Sequence, residues 1–199
     1  MNASRINTNS STSSHAPLIW PVAGILLLAS LARVIPHTAN VTPFFAVAMA
    51  AGAWLGRDQL KLTSALAIGS MAISDLFLGF HWTMPFVYGG LSLGILIGAF
   101  SSPKLLKTEN RTLRLLKCVA VAAAGSTGFF IVSNFGVWAV GEIYPLTMEG
   151  FVACFVMAVP FFLKSLVSDL FFGSLFLMGV AQLASRRAVD LQDGALNAR

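Results

Sequence analysis

The sequence predicts an all-α integral membrane protein with six transmembrane helices and both termini in the cytoplasm. Three observations lead to this class. First, 11% of the 199 residues are charged and 56% are hydrophobic, with a mean hydropathy of +0.78, whereas about a quarter of the residues in a soluble domain are charged. Second, the charges separate apolar stretches long enough to cross a bilayer, which takes about 20 residues per helix. Third, the basic residues fall almost entirely on one side of these stretches.

The N-terminal region is predicted to be a disordered cytoplasmic tail followed by the first span. Residues 1–17 are mostly Ser, Thr and Asn and contain too little apolar surface to offset the entropy of ordering. The apolar run 18–35 follows and is interpreted as the first transmembrane helix. A signal peptide is the weaker interpretation, because the single base Arg5 precedes the run, Pro21 interrupts it and further spans follow.

Five further spans and one ambiguous stretch complete the predicted membrane domain, 18–185. The stretch 150–159 is apolar and ends at Pro160, and we interpret it as an interfacial or re-entrant helix, because a seventh crossing would place the C-terminus outside. Residues 186–199 are predicted to be a cytoplasmic tail. The five spans are 41–56, 62–80, 84–101, 115–140 and 161–184.

The distribution of Lys and Arg sets the predicted orientation. With six crossings, eleven basic residues lie on one side of the membrane, and two, Arg33 and Lys164, lie on the other. Because loops rich in Lys and Arg stay in the cytoplasm, both termini are predicted to be cytoplasmic. The basic residues punctuate apolar spans instead of forming one stripe with interleaved aromatic side chains, so no nucleic-acid partner is expected.

Two predicted spans carry small residues at every fourth position. Such ladders allow helix backbones to approach closely in lipid. We expect them either to pack within the bundle, which we favour, or to form an interface with another subunit. The ladders are Gly90, Gly94 and Gly98 in the fourth span and Ala48, Gly52 and Gly56 in the second.

Three ionisable residues lie within predicted spans, where insertion is costly and each such group is therefore a candidate functional residue. Asp75 lies late in the third span, Asp169 lies within the last span, and Lys164 lies near the start of that span. Ser165, Asp169 and Gly173 are spaced by four and share one helix face, which we expect to point into the bundle. Lys164 is expected to pair with Asp169 or Asp75. Such a pair would either fix helix register or take part in ligand contact.

The three segments predicted to face away from the cytoplasm are rich in side chains able to bind a ligand. Taken singly, Trp82, Trp138 and Tyr144 are explained by the aromatic belt found at bilayer interfaces. As a group, however, the segments indicate a binding site. The candidate residues in and beside them are Arg33, His37, Asn40, His81, Trp82, Tyr88, Asn134, Trp138, Glu142, Tyr144 and Glu149.

Motifs for catalysis and cofactor binding are weak or absent, so we predict no enzyme and no resident cofactor. His37 and His81 are weak candidates for metal or haem ligation, since imidazole binds cobalt, iron and zinc. The GSTG tetrapeptide at 125–128 resembles the GxSG loop of intramembrane serine proteases, but its serine stands one place early and no histidine follows in a later helix. The sequence also contains no nucleotide-binding P-loop. Cys118 and Cys154 lie on different predicted helices near opposite membrane faces, so no disulfide is expected.

Five stretches of the sequence resemble a family of bacterial six-helix proteins classed with transport proteins. The resemblance covers 33–175, and its most specific motifs are SDLFLGFH and the PH-x-x-N-x-TP pattern in the first stretch. That family is itself similar to the substrate-binding S components of energy-coupling-factor vitamin transporters, including the solitary cobalamin-transporting ones. The five stretches are RVIPHTANVTPFFAVAMAAGAWLG, ISDLFLGFH, VYGG, SNFGVW and PFFLKSLVSDL.

The resemblance implies an S-component-like bundle of six helices in the bacterial cytoplasmic (inner) membrane that captures a vitamin-like or corrinoid molecule for uptake. An outer cavity would be lined by residues of the motifs, with Asp75 and Asp169 at its floor. The implied partners are the small-molecule ligand, the lipid bilayer and an energising transporter module. The implied substrate-binding residues are His37, Asn40, Asp75, His81, Tyr88, Asn134, Trp138 and Asp169.

Two other functions remain as alternatives. A metal- or haem-binding membrane enzyme subunit would use His37 and His81 on the outer face. A non-transporting assembly subunit would instead be held together by the glycine ladder of the fourth predicted span.

Overall fold

The computed structural model describes residues 16–35 and 43–197, with side chains over 19–35, 43–105 and 107–186. These residues form six α-helices and one short 3-10 turn, Arg57–Gln59, and they contain no strand. The prediction of an all-α protein is therefore confirmed. The helices are α1 Ala16–Leu31, α2 Phe44–Leu55, α3 Leu60–Leu78, α4 Met84–Leu106, α5 Arg111–Val140 and α6 Met148–Asn197.

Four helices in the described part of the chain, α3 to α6, are long and apolar enough to cross a membrane. Large apolar side chains cover their surfaces: Phe77 is 69% exposed, Val167 68% and Phe171 65%. A soluble protein rarely exposes so much apolar surface, so these faces suit contact with lipid. The other two helices are shorter. The 12 residues of α2 extend for about 18 Å, which is less than the hydrocarbon thickness of a bilayer.

Helix α2 lies at the centre of the bundle. Ten of its twelve residues are buried, and it packs against α4, α6, α1 and α3. A helix that is apolar on all sides is expected in the interior of a bundle, and the alanine-rich sequence of α2 fits that position. Although α2 is shorter than the hydrocarbon thickness of a bilayer, its apolar surface is buried. Neighbouring helices, and not lipid, cover most of that surface.

The glycine ladder of α4 is used inside the bundle. A methyl group at Gly98 would overlap the carbonyl oxygen of Met49 on α2, and one at Gly52 would overlap the carbonyl oxygen of Ile95 on α4. The two backbones are thus in direct contact where α2 and α4 cross. Gly94 faces the ring of Phe45 in α2, and Gly90 faces Phe129 in α5. The preferred interpretation, packing within the bundle, is therefore confirmed for α4 and for Gly52. Gly56 differs, because it ends α2 with a positive φ of 76°.

Asn110 and Gly141 cap the two ends of α5. The side chain of Asn110 accepts a hydrogen bond from the Leu113 amide at 3.0 Å, and this cap starts the helix four residues before the predicted span. Gly141 ends it in the left-handed region with φ 72°, as is common at helix C-termini. These caps set the limits of α5 at Arg111 and Val140.

Helix α6 is longer than the sequence patterns predict. The stretch 150–159, interpreted above as an interfacial or re-entrant helix, continues without a break through Pro160 into the last predicted span. Proline is tolerated in membrane helices because neighbouring groups satisfy the freed backbone carbonyl. The predicted C-terminal tail, 186–199, is helical as far as Asn197. At the other end of the chain, 1–15 of the predicted disordered tail lie outside the described residues, and α1 begins at Ala16.

Candidate functional site

The predicted site residues are not brought together in one cavity. Asp75 and Tyr88 lie in a polar cluster where α1, α3 and α4 meet, whereas Asn134, Trp138 and Asp169 lie on α5 and α6. His81 is exposed on the turn between α3 and α4. The predicted binding residues His37 and Asn40 lie outside the described residues.

The first site is an ion pair between a buried carboxylate and a partly buried guanidinium, with two hydroxyl groups beside it. We call it the Arg33 cluster (Arg33, Ser74, Asp75 and Tyr88). Arg33 Nη1 lies 3.0 Å from Asp75 Oδ1 and donates a hydrogen bond to Ser74 Oγ at 2.7 Å. The Tyr88 hydroxyl donates to Asp75 Oδ2 at 2.8 Å. Both carboxylate oxygens of Asp75 therefore have protein partners, and the Asp75 side chain is 3% exposed.

The Arg33 cluster explains how three helices are held together at this end of the bundle. Arg33 lies just beyond α1, Asp75 lies in the last turn of α3, and Tyr88 lies near the start of α4. A buried carboxylate is stable when it is paired and hydrogen-bonded, which is the case here. We therefore interpret Asp75 and Tyr88 as residues that join the helices, since the carboxylate is already satisfied within the protein.

The expected pairing of Lys164 with Asp169 or Asp75 is wrong. Within the described residues the one ion pair joins Arg33 to Asp75, and Lys164 is exposed. The reason is helix geometry. Asp169 follows Lys164 by five positions, and at 3.6 residues per turn this offset places the two side chains about 140° apart around the axis of α6. Lys164 thus points away from the bundle, while Asp169 points into it.

The second site is a cavity of about 280 Å³ between α5 and α6, which we call the α5–α6 cavity. Its polar lining consists of three hydroxyl groups and one amide, and its apolar lining consists of four phenyl rings and one methyl group. The lining residues are Ser126, Phe129, Phe130, Ser133, Asn134, Ala158, Phe161, Phe162 and Ser165.

The polar side chains of this cavity use most of their hydrogens within the protein. Asn134 Nδ2 donates to the Phe130 carbonyl at 2.8 Å, and the Ser133 hydroxyl donates to the same carbonyl at 3.3 Å. The Ser165 hydroxyl donates to the Phe161 carbonyl at 3.2 Å. A hydroxyl oxygen that donates its hydrogen keeps two lone pairs, and an amide oxygen keeps two as well. The cavity therefore offers mainly acceptors to a ligand.

Asp169 lies beside this cavity. It is 7% exposed, and the hydroxyl of the lining residue Ser126 is close enough to the Asp169 carboxylate to donate a hydrogen bond to it. Ser165, which also lines the cavity, precedes Asp169 by one turn on the same face of α6. The predicted inward-facing stripe on this helix is confirmed, since Gly173 also faces inward, against Ala122 and Met49.

A group of packed aromatic rings forms one wall of the cavity. Phe130 and Phe162 pack with their ring centroids 4.4 Å apart, and Phe155 meets Phe130 edge to face at 5.6 Å. Trp138 is one step further away: its indole N–H donates to the Pro145 carbonyl at 3.2 Å, and its ring packs on Phe151. Trp138 therefore supports the aromatic wall and does not line the cavity.

His81 makes a local contact on its turn. Its Nδ1 lies 2.6 Å from the Thr83 hydroxyl. In the part of the chain that the structure describes, no group of three or more His, Cys, Asp or Glu side chains is arranged to hold a metal ion. The thiols of Cys118 and Cys154 are both free, as the sequence predicts, and both are buried.

Several cavity residues carry a signal that motif searches miss. On α5, Ser126, Phe130 and Asn134 recur every four residues, and on α6, Phe161, Ser165 and Asp169 do the same. This spacing places each set on one helix face. A search for faces that mix phenylalanine with small polar residues would have found both walls of the cavity.

The lining of the α5–α6 cavity combines hydroxyl groups, one amide and aromatic rings, and the Asp169 carboxylate lies beside it. Comparison with known proteins gives a family and no function. No curated protein and no solved structure matches the chain. A family model matches residues 13–191, nearly the whole chain, and the protein therefore belongs to the Family of unknown function (DUF6580).

Proposed function

We propose that this protein binds a small, vitamin-like organic molecule in the α5–α6 cavity and serves its uptake across a bacterial cytoplasmic membrane. The observation that carries the proposal is the cavity itself, which combines aromatic walls with a few convergent polar groups. Ligand sites in proteins commonly have this composition. The resemblance to substrate-binding transport components points in the same direction, and an energising module would be the partner that drives release.

The volume of the cavity limits the size of the ligand. Its volume of about 280 Å³ is near the lower end of the range typical of ligand pockets. A corrinoid macrocycle is much larger than this space. We therefore propose a ligand with one or two rings in place of a cobalamin.

The proposed topology is six crossings with both termini in the cytoplasm, supported by the eleven-to-two distribution of basic residues. We expect Glu142→Cys, between α5 and α6, to react with a membrane-impermeant maleimide in intact cells, and Asp58→Cys, between α2 and α3, to react only after permeabilisation. Both positions are exposed, and the background carries Cys118→Ser and Cys154→Ser. Equal labelling of the two sites in intact cells would contradict the topology.

Filling the cavity is expected to abolish ligand binding. Ala158→Trp places an indole in the α5–α6 cavity, because Ala158 is part of its lining. We expect the wild-type protein, purified gently, to release a small organic molecule that mass spectrometry detects, and Ala158→Trp to release none. We expect the loss of binding to be complete, because the filled cavity has no space for the ligand.

Val156→Trp is the matched control, because Val156 is on the same helix but 60% exposed and lies about 200° away from Ala158 around the axis. This variant should fold and release the same molecule as the wild type. If Ala158→Trp retains the ligand at wild-type amounts, the α5–α6 cavity is not the binding site and the proposal fails.

A further inference from the structure

The charge balance around Asp169 points to the kind of ligand that the α5–α6 cavity takes. Asp169 is buried, and no cation in the described residues forms an ion pair with it. On its own helix, Lys164 is exposed on another face and Arg186 lies nearly five turns away. Helix α2, which packs on α6, carries no charged residue. The basic residues of α5 are confined to the first turns of that helix, 111–117, well before Ser126.

The hydrogen-bonding groups near Asp169 also favour a ligand that carries hydrogen-bond donors. Ser126 is placed to donate to the Asp169 carboxylate, and Ser133 and Ser165 donate to backbone carbonyls. What remains for a ligand is mostly a set of oxygen lone pairs, together with one N–H of Asn134. A ligand that brings hydrogen-bond donors and positive charge satisfies this set, whereas an anion would meet mostly acceptors and the nearby Asp169 carboxylate.

The aromatic lining favours the same charge. Four phenyl rings line the cavity, at Phe129, Phe130, Phe161 and Phe162. The face of an aromatic ring attracts a cation, and the attraction grows where water is excluded. The same rings provide apolar contact for the uncharged body of a ligand.

We propose that the ligand of the α5–α6 cavity is a small organic monocation, such as a protonated primary amine or a quaternary ammonium group attached to one aromatic or apolar ring. Its charged group lies at the Ser126, Ser165 and Asp169 end of the cavity, and its ring lies among the phenyl groups. This inference rests on the proposed function and adds the charge and class of the ligand to it.

Three probes of similar size and different charge test this assignment: 2-phenylethylamine, which is a cation at pH 7, neutral 2-phenylethanol, and the phenylacetate anion. Binding to purified protein is measured by the rise in melting temperature with probe concentration. We expect the amine to bind about tenfold or more tightly than the alcohol, as a hydrogen-bonded charge pair would provide, and phenylacetate to produce no shift. Asp169→Asn should remove the preference of the amine over the alcohol.

Asp58→Asn is the matched control, because it removes one carboxylate at an exposed position between α2 and α3. It should keep the preference for the amine. If Asp169→Asn does not fold, the comparison of the three probes on wild-type protein still decides the assignment.

The outcomes separate the class of ligand from the cavity's function. Equal affinity for amine and alcohol, tighter binding of phenylacetate, or no amine binding would each overturn the cation assignment. If the alcohol or the anion binds and Ala158→Trp abolishes that binding, the cavity retains its proposed function with another ligand class. If the amine binds equally well to wild type and Ala158→Trp, the site lies elsewhere and both proposals fail.

Discussion

Removing the Asp75 carboxylate is expected to destabilise the folded bundle by about 3–5 kcal/mol, because truncating one partner of a buried ion pair leaves the other charge uncompensated. In Asp75→Ala, the Arg33 guanidinium would lose its 3.0 Å partner and Tyr88 would lose its acceptor. The measurement is the free energy of unfolding in mixed detergent micelles. Tyr88→Phe removes one hydrogen bond to the carboxylate and should cost less, about 1.5–3 kcal/mol.

Two further variants distinguish loss of the ion pair from a general effect of mutation. Arg33→Met combined with Asp75→Leu replaces both charges with apolar groups and should cost clearly less than the sum of the single changes, since residues in one network are coupled. Glu142→Ala removes an exposed carboxylate and should change stability by no more than about 0.5 kcal/mol. If Asp75→Ala costs as little as Glu142→Ala, the Arg33 cluster does not stabilise the bundle.

A methyl group at Gly98 is expected to cost about 1–3 kcal/mol, because overpacking in a close contact forces the backbone to shift. The Cβ of Gly98→Ala would overlap the carbonyl oxygen of Met49, which belongs to the backbone of the central helix α2. Rotation of a side chain cannot relieve this overlap. We expect a lower melting temperature of the purified protein and a smaller amount of folded protein in the membrane.

Gly69→Ala is the control for this change, because Gly69 is also within a helix but has no atom within 4 Å of the position of a new Cβ. Alanine has a higher helix propensity than glycine by up to about 1 kcal/mol, so this variant should be as stable as the wild type or more stable. Equal melting temperatures for Gly98→Ala and Gly69→Ala would show that α2 and α4 are not in backbone contact.

Helix positions could be predicted well from the sequence, because they depend on local signals. The fourth predicted span begins at 84 and the fifth ends at 140, as α4 and α5 do. Pro85 at the start of α4 and Gly141 after the end of α5 mark these limits directly. The use of Gly98 inside the bundle was also predictable, since small residues at every fourth position bring two backbones together.

The partners of the buried charges could not be predicted, because they depend on how the helices are arranged around one another. Arg33 follows α1 in sequence, yet its partner Asp75 lies 42 residues later, at the end of α3. Lys164 is much closer to Asp169 in sequence but lies on another face of α6. The α5–α6 cavity was missed for a related reason: its lining is shared between two helices, and neither helix alone carries a recognisable motif.

Because α6 is one unbroken helix, a small change of its tilt at the cavity would move its other end. One helix carries Ser165 at the cavity and continues to Arg186, about 30 Å further along at 1.5 Å per residue. A tilt of a few degrees at the ligand would therefore move the far end by a few ångströms without any local unfolding. Occupancy of the cavity is thus expected to become a displacement at the distant end of α6.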